Sequence, residues 1–111
     1  MKRIDAIITS NKVSDVNAAL KKAGVGGVVV FDGNGRGTGT RQEEFTRGYH
    51  IPQFHSRVNI MTVVDDSKVE AIVNAIRSTA STGSPGDGKI FISSVEDAVD
   101  IGSKKKGTMA I

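Results

Sequence analysis

The second half of the chain contains, from Val58 to Ile92, the segment VNIMTVVDDSKVEAIVNAIRSTASTGSPGDGKIFI. It opens with VNIMTVV, a mostly apolar and β-branched run that predicts a strand. The spacing of Ser67 and Glu70 predicts a capping box, behind which apolar residues recur at helical intervals. The turn TGSPGDG then leads into another apolar run, Lys89–Ile92. This stretch therefore predicts a β-α-β unit.

The first half of the chain repeats this pattern. A strand is predicted at Ile4–Ile8, a helix capped by Ser14 and ended by Gly24 follows, and Val28–Phe31 reads as the next strand. Between the halves, the stretch from Gly33 to Ser56 has no periodicity, and we expect no regular element there. The order β-α-β-β-α-β predicts an α/β (α+β) protein, a ferredoxin-like sandwich with a long loop between its second and third strands.

The composition argues against disulfide-stabilised, cysteine–zinc and membrane-spanning proteins. The chain has 111 residues, enough for one domain, and no cysteine, which excludes disulfides and cysteine-based zinc sites. No apolar run approaches the roughly 20 residues of a membrane span, and the start MKRIDAIITS lacks a signal-peptide core, so we expect a cytoplasmic location. The net charge of +3 is small.

The predicted strands are apolar on both faces. Val28 and Val30 alternate with Val29 and Phe31, so each side of the strand carries large apolar groups. Two helices cover only one face of a sheet. We therefore expect the other face to pack against a second copy of the chain.

Two glycine-rich segments are candidate ligand sites. Gly83–Lys89 resembles an anion-binding loop, although Ile90 replaces the magnesium-binding Ser or Thr of a P-loop and the loop joins a helix to a strand. A plain turn with a solvated lysine is equally compatible with this spacing. The glycines between Gly33 and Gly39 favour either a flexible linker or a close approach of the backbone to a ligand.

Catalytic, metal and nucleic-acid sites lack support in the sequence. His50 and His55 are poorly spaced for a metal, and no nucleophile motif accompanies them, so we predict no catalytic residue, no metal site and no enzyme. RNA-binding domains of the predicted topology stack bases on aromatic residues of the central strands. The third strand here reads RVNIMTVV, without an aromatic residue, which argues against a nucleic-acid partner.

The segment TGSPGDGKIFISSV resembles the C-terminal signature of the PII signal-transduction proteins. The resemblance extends to MKRIDAII, VSDVNAALKKAGVGGVVV, VVDDSKVEAIVNAI and the final AI, and so covers nearly the whole chain. It implies a single domain over residues 1–111 that forms a homotrimer with a nucleotide in each cleft between subunits. It also implies a T-loop at about residues 36–55, a B-loop at about 82–89 and a C-terminal segment at about 95–111.

The resemblance implies regulation of a membrane transporter or metabolic enzyme through the T-loop, in nitrogen or inorganic-carbon metabolism. It places the nucleotide phosphates at the B-loop and the opposite wall of the nucleotide cleft at the base of the T-loop. It places the adenine ring beside two apolar strand residues, Ile7 and Val63. It assigns Arg57 to a small-molecule effector, 2-oxoglutarate or bicarbonate. Lys104 and Lys105 are not positions of the family pattern, and we expect them to supply phosphate contacts near the C-terminus. The implied nucleotide-binding residues are Ile7, Gly35, Arg36, Gly37, Thr38, Val63, Gly86, Asp87, Gly88 and Lys89.

Several positions depart from the family pattern. Thr38-Gly39 stands where an Arg-Gln pair is typical, and that glutamine helps to bind the magnesium that brings in 2-oxoglutarate. Asp100 and Gly102 replace two phosphate-binding arginines. We therefore expect ADP or AMP to bind at least as well as ATP and the response to 2-oxoglutarate to be weak, with a role for magnesium left open. The alternative is a trimeric structural or metal-tolerance module that uses no nucleotide.

Overall fold

The computed structural model describes residues 1–37 and 54–111. Its strands form one antiparallel sheet in the order β2-β3-β1-β4. This topology confirms the predicted ferredoxin-like arrangement. Residues 38–53, which include Thr38 and most of the predicted T-loop, lie outside the described residues. The main elements are β1 (Lys2–Thr9), α1 (Val13–Lys22), β2 (Val29–Gly35), β3 (His55–Val64), α2 (Val69–Ala80) and β4 (Gly88–Ser94).

The core lies between the helices and one face of the sheet. Alternate residues of the two central strands, β1 and β3, point into it, because successive side chains of a strand point to opposite faces. The helices contribute residues that recur three or four positions apart, as the helical periodicity predicts. Within the described residues, the largest fully buried side chains are Ile4, Ile8, Val16, Leu20, Ile60, Ile72 and Ile76.

The opposite face of the sheet, which we call the open face, is also apolar in part. Val29, Phe31 and Phe91 lie on it and are 47%, 48% and 56% exposed, respectively. Large apolar side chains grouped on one surface usually mark a contact with another molecule. The open face is therefore consistent with the predicted self-association, which remains a prediction.

The strands that flank the long loop are longer than the sequence pattern predicts. We expected no regular element between Gly33 and Ser56, but β2 continues to Gly35 and β3 begins at His55. Gly33 is paired with Arg57 and Gly35 with His55 in this extension. A strand ladder is made by backbone groups, so glycines with no apolar pattern extend it once the partner strand is in place.

Both predicted helix caps are wrong. Helix α1 begins at Val13 after a short 3₁₀ turn, and Ser14 lies exposed inside its first turn. Before α2, the carboxylate of Asp65 accepts a hydrogen bond from the Ser67 amide at 3.0 Å and caps a 3₁₀ turn over Asp66–Lys68. Asp65 satisfies the amide two residues ahead in the manner of an N-cap. The sequence pattern had assigned the capping role to Ser67, two residues too late.

The predicted end of the first helix is confirmed. Gly24 has a φ of +89°, the left-handed conformation that glycine adopts without steric cost. Its amide donates to the Lys21 carbonyl at 3.1 Å, and the next amide, of Val25, donates to the Leu20 carbonyl at 3.0 Å. These bonds satisfy carbonyl groups of the last helical turn and direct the chain towards β2.

Candidate functional site

The loop between α2 and β4 folds around one carboxylate. We call residues 82–88 the glycine loop. The Asp87 side chain accepts hydrogen bonds from the amides of Thr82 and Gly83, at 2.7 and 3.1 Å, and from the Thr82 hydroxyl. Hydrogen bonds to an ionised acceptor are stronger than neutral ones. Asp87 is thus the residue that closes the loop on itself.

Gly88 joins the glycine loop to the sheet, where the backbone of β4 approaches β1 closely. It has a φ of +128°, and a Cβ atom placed on it would lie 1.9 Å from the Ile7 carbonyl oxygen. Only glycine fits at this position. The next residue, Lys89, pairs with Ile7 in the ladder and is exposed. Because Ile8 points into the core, Ile7 and Lys89 lie on the open face.

The base of the predicted T-loop lies at the same end of the sheet. Gly35 is the last residue of β2, and Arg36 and Gly37 follow it exposed. Arg57, in β3, spans the distance to the glycine loop, because its Nη2 donates to the Gly86 carbonyl at 3.3 Å. The structure therefore brings the glycine loop, Ile7, Gly35 and Arg57 to one end of the sheet.

Val63 is not part of this grouping within a single chain. It pairs with Arg3, whereas Ile7 pairs with Asn59, four residues earlier in β3. At a rise of about 3.3 Å per residue, roughly 13 Å of strand separates the two positions. Ile7 and Val63 therefore line one adenine pocket only if two copies of the chain supply them.

The C-terminal residues form a small hairpin that presents the lysines. Val99 and Lys106 are bridged, and the Asp100 amide donates to the Lys105 carbonyl at 2.8 Å. The Asp100 side chain accepts from the Ser103 amide at 2.7 Å, and this bonding lowers the pKa of Asp100. Lys104 has a φ of +62°, and both Lys104 and Lys105 are exposed. Asp100 thus forms the turn that carries these lysines.

A polar cluster interrupts the apolar open face at its centre. Arg3 donates to both carboxylate oxygens of Asp5, at 2.9 and 3.0 Å, and Asn59 donates to Asp5 at 3.1 Å. The hydrogen bond from Arg3 is the main reason that the pKa of Asp5 is lowered. Among the described residues, the buried Oδ1 of Asn59 has no hydrogen-bond partner.

A groove of about 400 Å³ lies between α2 and β4, on the helix side of the sheet. Its walls are mostly apolar, with Ile76, Ala80 and Ile92 among the lining residues. Polar residues that also border it are Arg77, Ser81, Asp87 and Lys89. In the described part of the chain, no three His, Asp or Glu side chains are grouped as metal ligands would be. No helix there is both long enough and apolar enough to cross a membrane.

The matches to known proteins agree with this geometry. The family model "Nitrogen regulatory protein P-II" matches residues 1–105. The chain belongs to the PII family. It is 40% identical to the nitrogen regulatory protein P-II of Bradyrhizobium diazoefficiens, over 112 aligned positions that cover both chains completely. The P-II proteins of Azospirillum brasilense and of a Synechocystis strain are also 40% identical to it, with the same complete coverage.

Membership in the PII family confirms the resemblance and the predicted fold. It also confirms that the chain is a regulator in signal transduction and not an enzyme. The match leaves the individual site residues as predictions. Of these, Thr38 lies outside the described residues, as does Gly39, where the magnesium-binding glutamine is missing.

Three structural roles were not apparent from the sequence. Thr82 donates to Asp87 from both its amide and its hydroxyl, Arg57 bonds to the Gly86 carbonyl, and Asp100 forms a turn. The spacing of Thr82 and Asp87 around glycines is a signal for the first of these roles, because Asp side chains commonly bond to nearby amides in turns. The contact of Arg57 joins residues 29 positions apart, and no local pattern indicates it.

Proposed function

We propose that this PII-family chain binds the phosphates of an adenine nucleotide at its glycine loop. We further propose that it regulates a membrane transporter or a metabolic enzyme through the segment at about residues 36–55. One observation carries the proposal. The only carboxylate of the glycine loop, Asp87, is bonded to the amides of Thr82 and Gly83, while the cationic Lys89 is exposed at the end of the loop. The negative charge thus has partners inside the loop, and a cation remains to attract phosphate.

The base of the nucleotide requires an apolar surface close to this cation. Ile7 offers one, because it is paired with Lys89 on the open face. Val63 lies roughly 13 Å away along the sheet and would reach the same base only from a neighbouring copy. The half-exposed Val29, Phe31 and Phe91 support such an assembly, which we propose to be a homotrimer.

Charge favours ADP or AMP over ATP. Asp100 gives the hairpin a negative charge at a position where the family pattern has a positively charged arginine. Its carboxylate accepts a hydrogen bond from the Ser103 amide. Lys104, Lys105 and Lys106 are exposed on the same hairpin and are cations that can offset this charge. The loss of one charge-assisted contact costs about 1.5–3 kcal/mol, or about tenfold or more in affinity. We therefore propose that ADP or AMP binds at least as well as ATP.

A carboxylate effector is proposed to bind at Arg57. The guanidinium offers two parallel donors of the kind that pair with 2-oxoglutarate or bicarbonate. Because Gly39 provides no side-chain oxygen for magnesium, the binding of 2-oxoglutarate should depend little on Mg-ATP.

Titration calorimetry with ATP, ADP and AMP tests these proposals, each with and without magnesium and millimolar 2-oxoglutarate. We expect ADP or AMP to bind at least as tightly as ATP, and 2-oxoglutarate to change the ATP affinity little. Lys89→Ala should weaken binding by about tenfold or more, because it removes a charge-assisted contact. Lys22→Ala, which removes an exposed lysine at the end of α1, is the matched control and should leave binding unchanged.

Two outcomes would contradict the proposal. Absence of binding by all three nucleotides would favour the alternative, a trimeric structural or metal-tolerance module that uses no nucleotide. Preferential binding of Mg-ATP that 2-oxoglutarate strengthens tenfold would show that the departures at Gly39 and Asp100 are compensated elsewhere in the chain.

A further inference from the structure

We propose that Ser84 is a phosphorylation site and that a phosphate on it blocks the glycine loop to nucleotides. The modifying enzyme is a protein kinase of the serine/threonine class, with ATP as the phosphoryl donor. The blocking effect rests on the nucleotide site proposed above. The modification itself rests on the exposure, the hydrogen bonds and the charge of the glycine loop.

The Ser84 side chain is open to an approaching enzyme. Ser84 and its neighbours Gly83 and Pro85 are all exposed. A Cβ atom placed on Gly83 would meet no other atom within 4 Å, so the space beside Ser84 is empty of protein. The ring of Pro85 also disfavours a helical conformation at the residue before it. Ser84 is the only hydroxyl residue of the chain that directly precedes a proline.

The hydroxyl groups around the glycine loop differ in their bonds. The Thr82 hydroxyl donates to the Asp87 carboxylate, and the Ser81 hydroxyl accepts from the Gly83 amide at 3.3 Å. In the part of the chain that the structure describes, the Ser84 hydroxyl makes no hydrogen bond. A phosphate on Thr82 would break a bond that closes the loop. A phosphate on Ser84 breaks none, so Ser84 is the hydroxyl that this loop presents for modification.

The surroundings of Ser84 favour a phosphate once it is attached. Asp87 is already bonded within the loop, and Lys89 is exposed where the loop ends. The Nη2 of Arg57 donates to the Gly86 carbonyl at 3.3 Å, only two residues from Ser84 along the chain. Phosphoserine carries a charge of about −1.5 to −2 at pH 7 and three acceptor oxygens, which pair with arginine and lysine. The cations that would attract the phosphates of a nucleotide therefore also attract this phosphate.

The modification is a phosphoryl transfer from ATP. The Ser84 Oγ forms a bond to the γ-phosphorus, and the bond from that phosphorus to the bridging oxygen of the departing ADP breaks. The hydroxyl proton passes to a carboxylate base of the kinase. The glycine loop thereby gains a negatively charged group of its own. Like charges repel, so the phosphates of a free nucleotide bind more weakly to the modified loop.

Mass spectrometry of the protein purified from the cells that make it tests whether the modification occurs. Trypsin releases residues 78–89 as one peptide, which contains Ser84 and four other hydroxyl residues. Fragment masses show which of them carries the phosphate, and we expect it on Ser84. Phosphate found only on the other hydroxyl residues, or only unmodified peptide, would overturn the proposal.

Phosphorus NMR tests the contact of the phosphate with the cations and needs no nucleotide. Phosphoserine is placed at position 84 during translation, and its second pKa, ordinarily about 6, is measured in the folded and in the urea-denatured protein. We expect a lower pKa in the folded protein, because neighbouring cations favour the dianion. Lys89→Ala should raise this pKa, whereas Lys22→Ala, at an exposed site on α1, should leave it unchanged. Equal pKa values in the folded and denatured protein would refute the contact.

Titration calorimetry with ADP tests the blocking effect. We expect phosphoserine at position 84 to lower the affinity for ADP by about tenfold or more, because a nucleotide loses charge-assisted contacts to the phosphate on the chain. Phosphoserine at position 14, an exposed site in the first turn of α1, is the matched control and should leave the affinity unchanged. Equal affinity of the unmodified protein and the protein phosphorylated at position 84 would refute blocking. If the unmodified protein binds no nucleotide, the proposed function fails, and the peptide masses and the phosphorus titration still decide whether Ser84 is modified and held by the loop.

Discussion

Gly88→Ala is the substitution for which the structure gives the clearest expectation. The new Cβ would lie 1.9 Å from the Ile7 carbonyl oxygen and 3.0 Å from the Ile7 carbonyl carbon. Both are backbone atoms of β1, which is paired with β3 on one side and β4 on the other. A backbone held on both sides cannot move aside as a flexible side chain would. The end of β4 must therefore move away from β1.

The cost has two parts. Residue 88 has a φ of +128°, a region that side-chain-bearing residues rarely adopt, and such a conformation costs about 1–3 kcal/mol. Forcing an extra carbon into packed structure costs about 1–3 kcal/mol more. Gly88 is the first residue of β4, so unpairing of the strand end relieves part of this strain. We expect the free energy of unfolding to fall by about 2–4 kcal/mol, a large part of the 5–15 kcal/mol that is typical of domains.

Urea unfolding of three glycine variants separates these contributions. At Gly26 a Cβ would meet no atom within 4 Å, and at Gly83 the same holds but φ is +78°. We expect Gly26→Ala to be nearly neutral, Gly83→Ala to cost about 1 kcal/mol, and Gly88→Ala to cost at least twice as much. Protomer concentration must be equal throughout, because self-association stabilises the folded state. If Gly88→Ala and Gly83→Ala agree within about 0.5 kcal/mol, the close approach to Ile7 contributes nothing and the reasoning fails.

Three further predictions concern charge and assembly. The pKa of the Asp5 carboxyl is lower in the folded state than in the unfolded chain, where it is about 3.9. The ionised carboxylate therefore stabilises the fold above about pH 3.9, and this stabilisation is lost as the pH falls through the folded-state pKa. Urea unfolding between about pH 5 and pH 2 should show a smaller acid-side loss in Asp5→Asn than in the exposed control Asp15→Asn, and equal losses would contradict the assignment. Thr82→Val keeps the shape of the side chain and the amide bond to Asp87 but removes the hydroxyl bond, and it should speed amide hydrogen exchange at residues 82–88 without changing exchange in α1. Unchanged loop exchange would refute the role of the Thr82 hydroxyl. Light scattering should give three times the protomer mass of 11.7 kDa, whereas a monomer at micromolar concentration would refute the homotrimer.

Much of the fold could be predicted because its signals are local. The apolar, β-branched runs in β1 and β3 and the helical spacing in α1 and α2 predicted the element order and the topology. The end of α1 was correctly placed, since the left-handed conformation of Gly24 depends on little beyond its own chain neighbours. The segment TGSPGDGKIFISSV identified the family without any structure.

The extension of β2 depended on contacts that are distant in sequence, and the start of α2 depended on where β3 ends. Gly33 and Gly35 have no strand pattern of their own, and they are extended because β3 supplies backbone partners 20 or more residues later. Asp65 caps the turn before α2 because the strand before it ends at Val64 and places its carboxylate over the Ser67 amide. The spacing of Ser67 and Glu70 indicated Ser67 as the cap, whereas Asp65, a residue type equally favoured at N-caps, is the one that bonds.

The site was predicted as a set of residue types, and its arrangement came only from the tertiary structure. The sequence by itself marked the glycine loop, Lys89 and the glycines near Gly35 as candidates. It could not show that Gly88 must be glycine because β1 approaches it, nor that Ile7 and Val63 lie at different ends of one sheet. Nor could it show that Arg57, in β3, bonds to the Gly86 carbonyl of the glycine loop. Periodicity and turn chemistry report on neighbours along the chain, whereas these relations arise from strand pairing, which brings together residues that no local pattern connects.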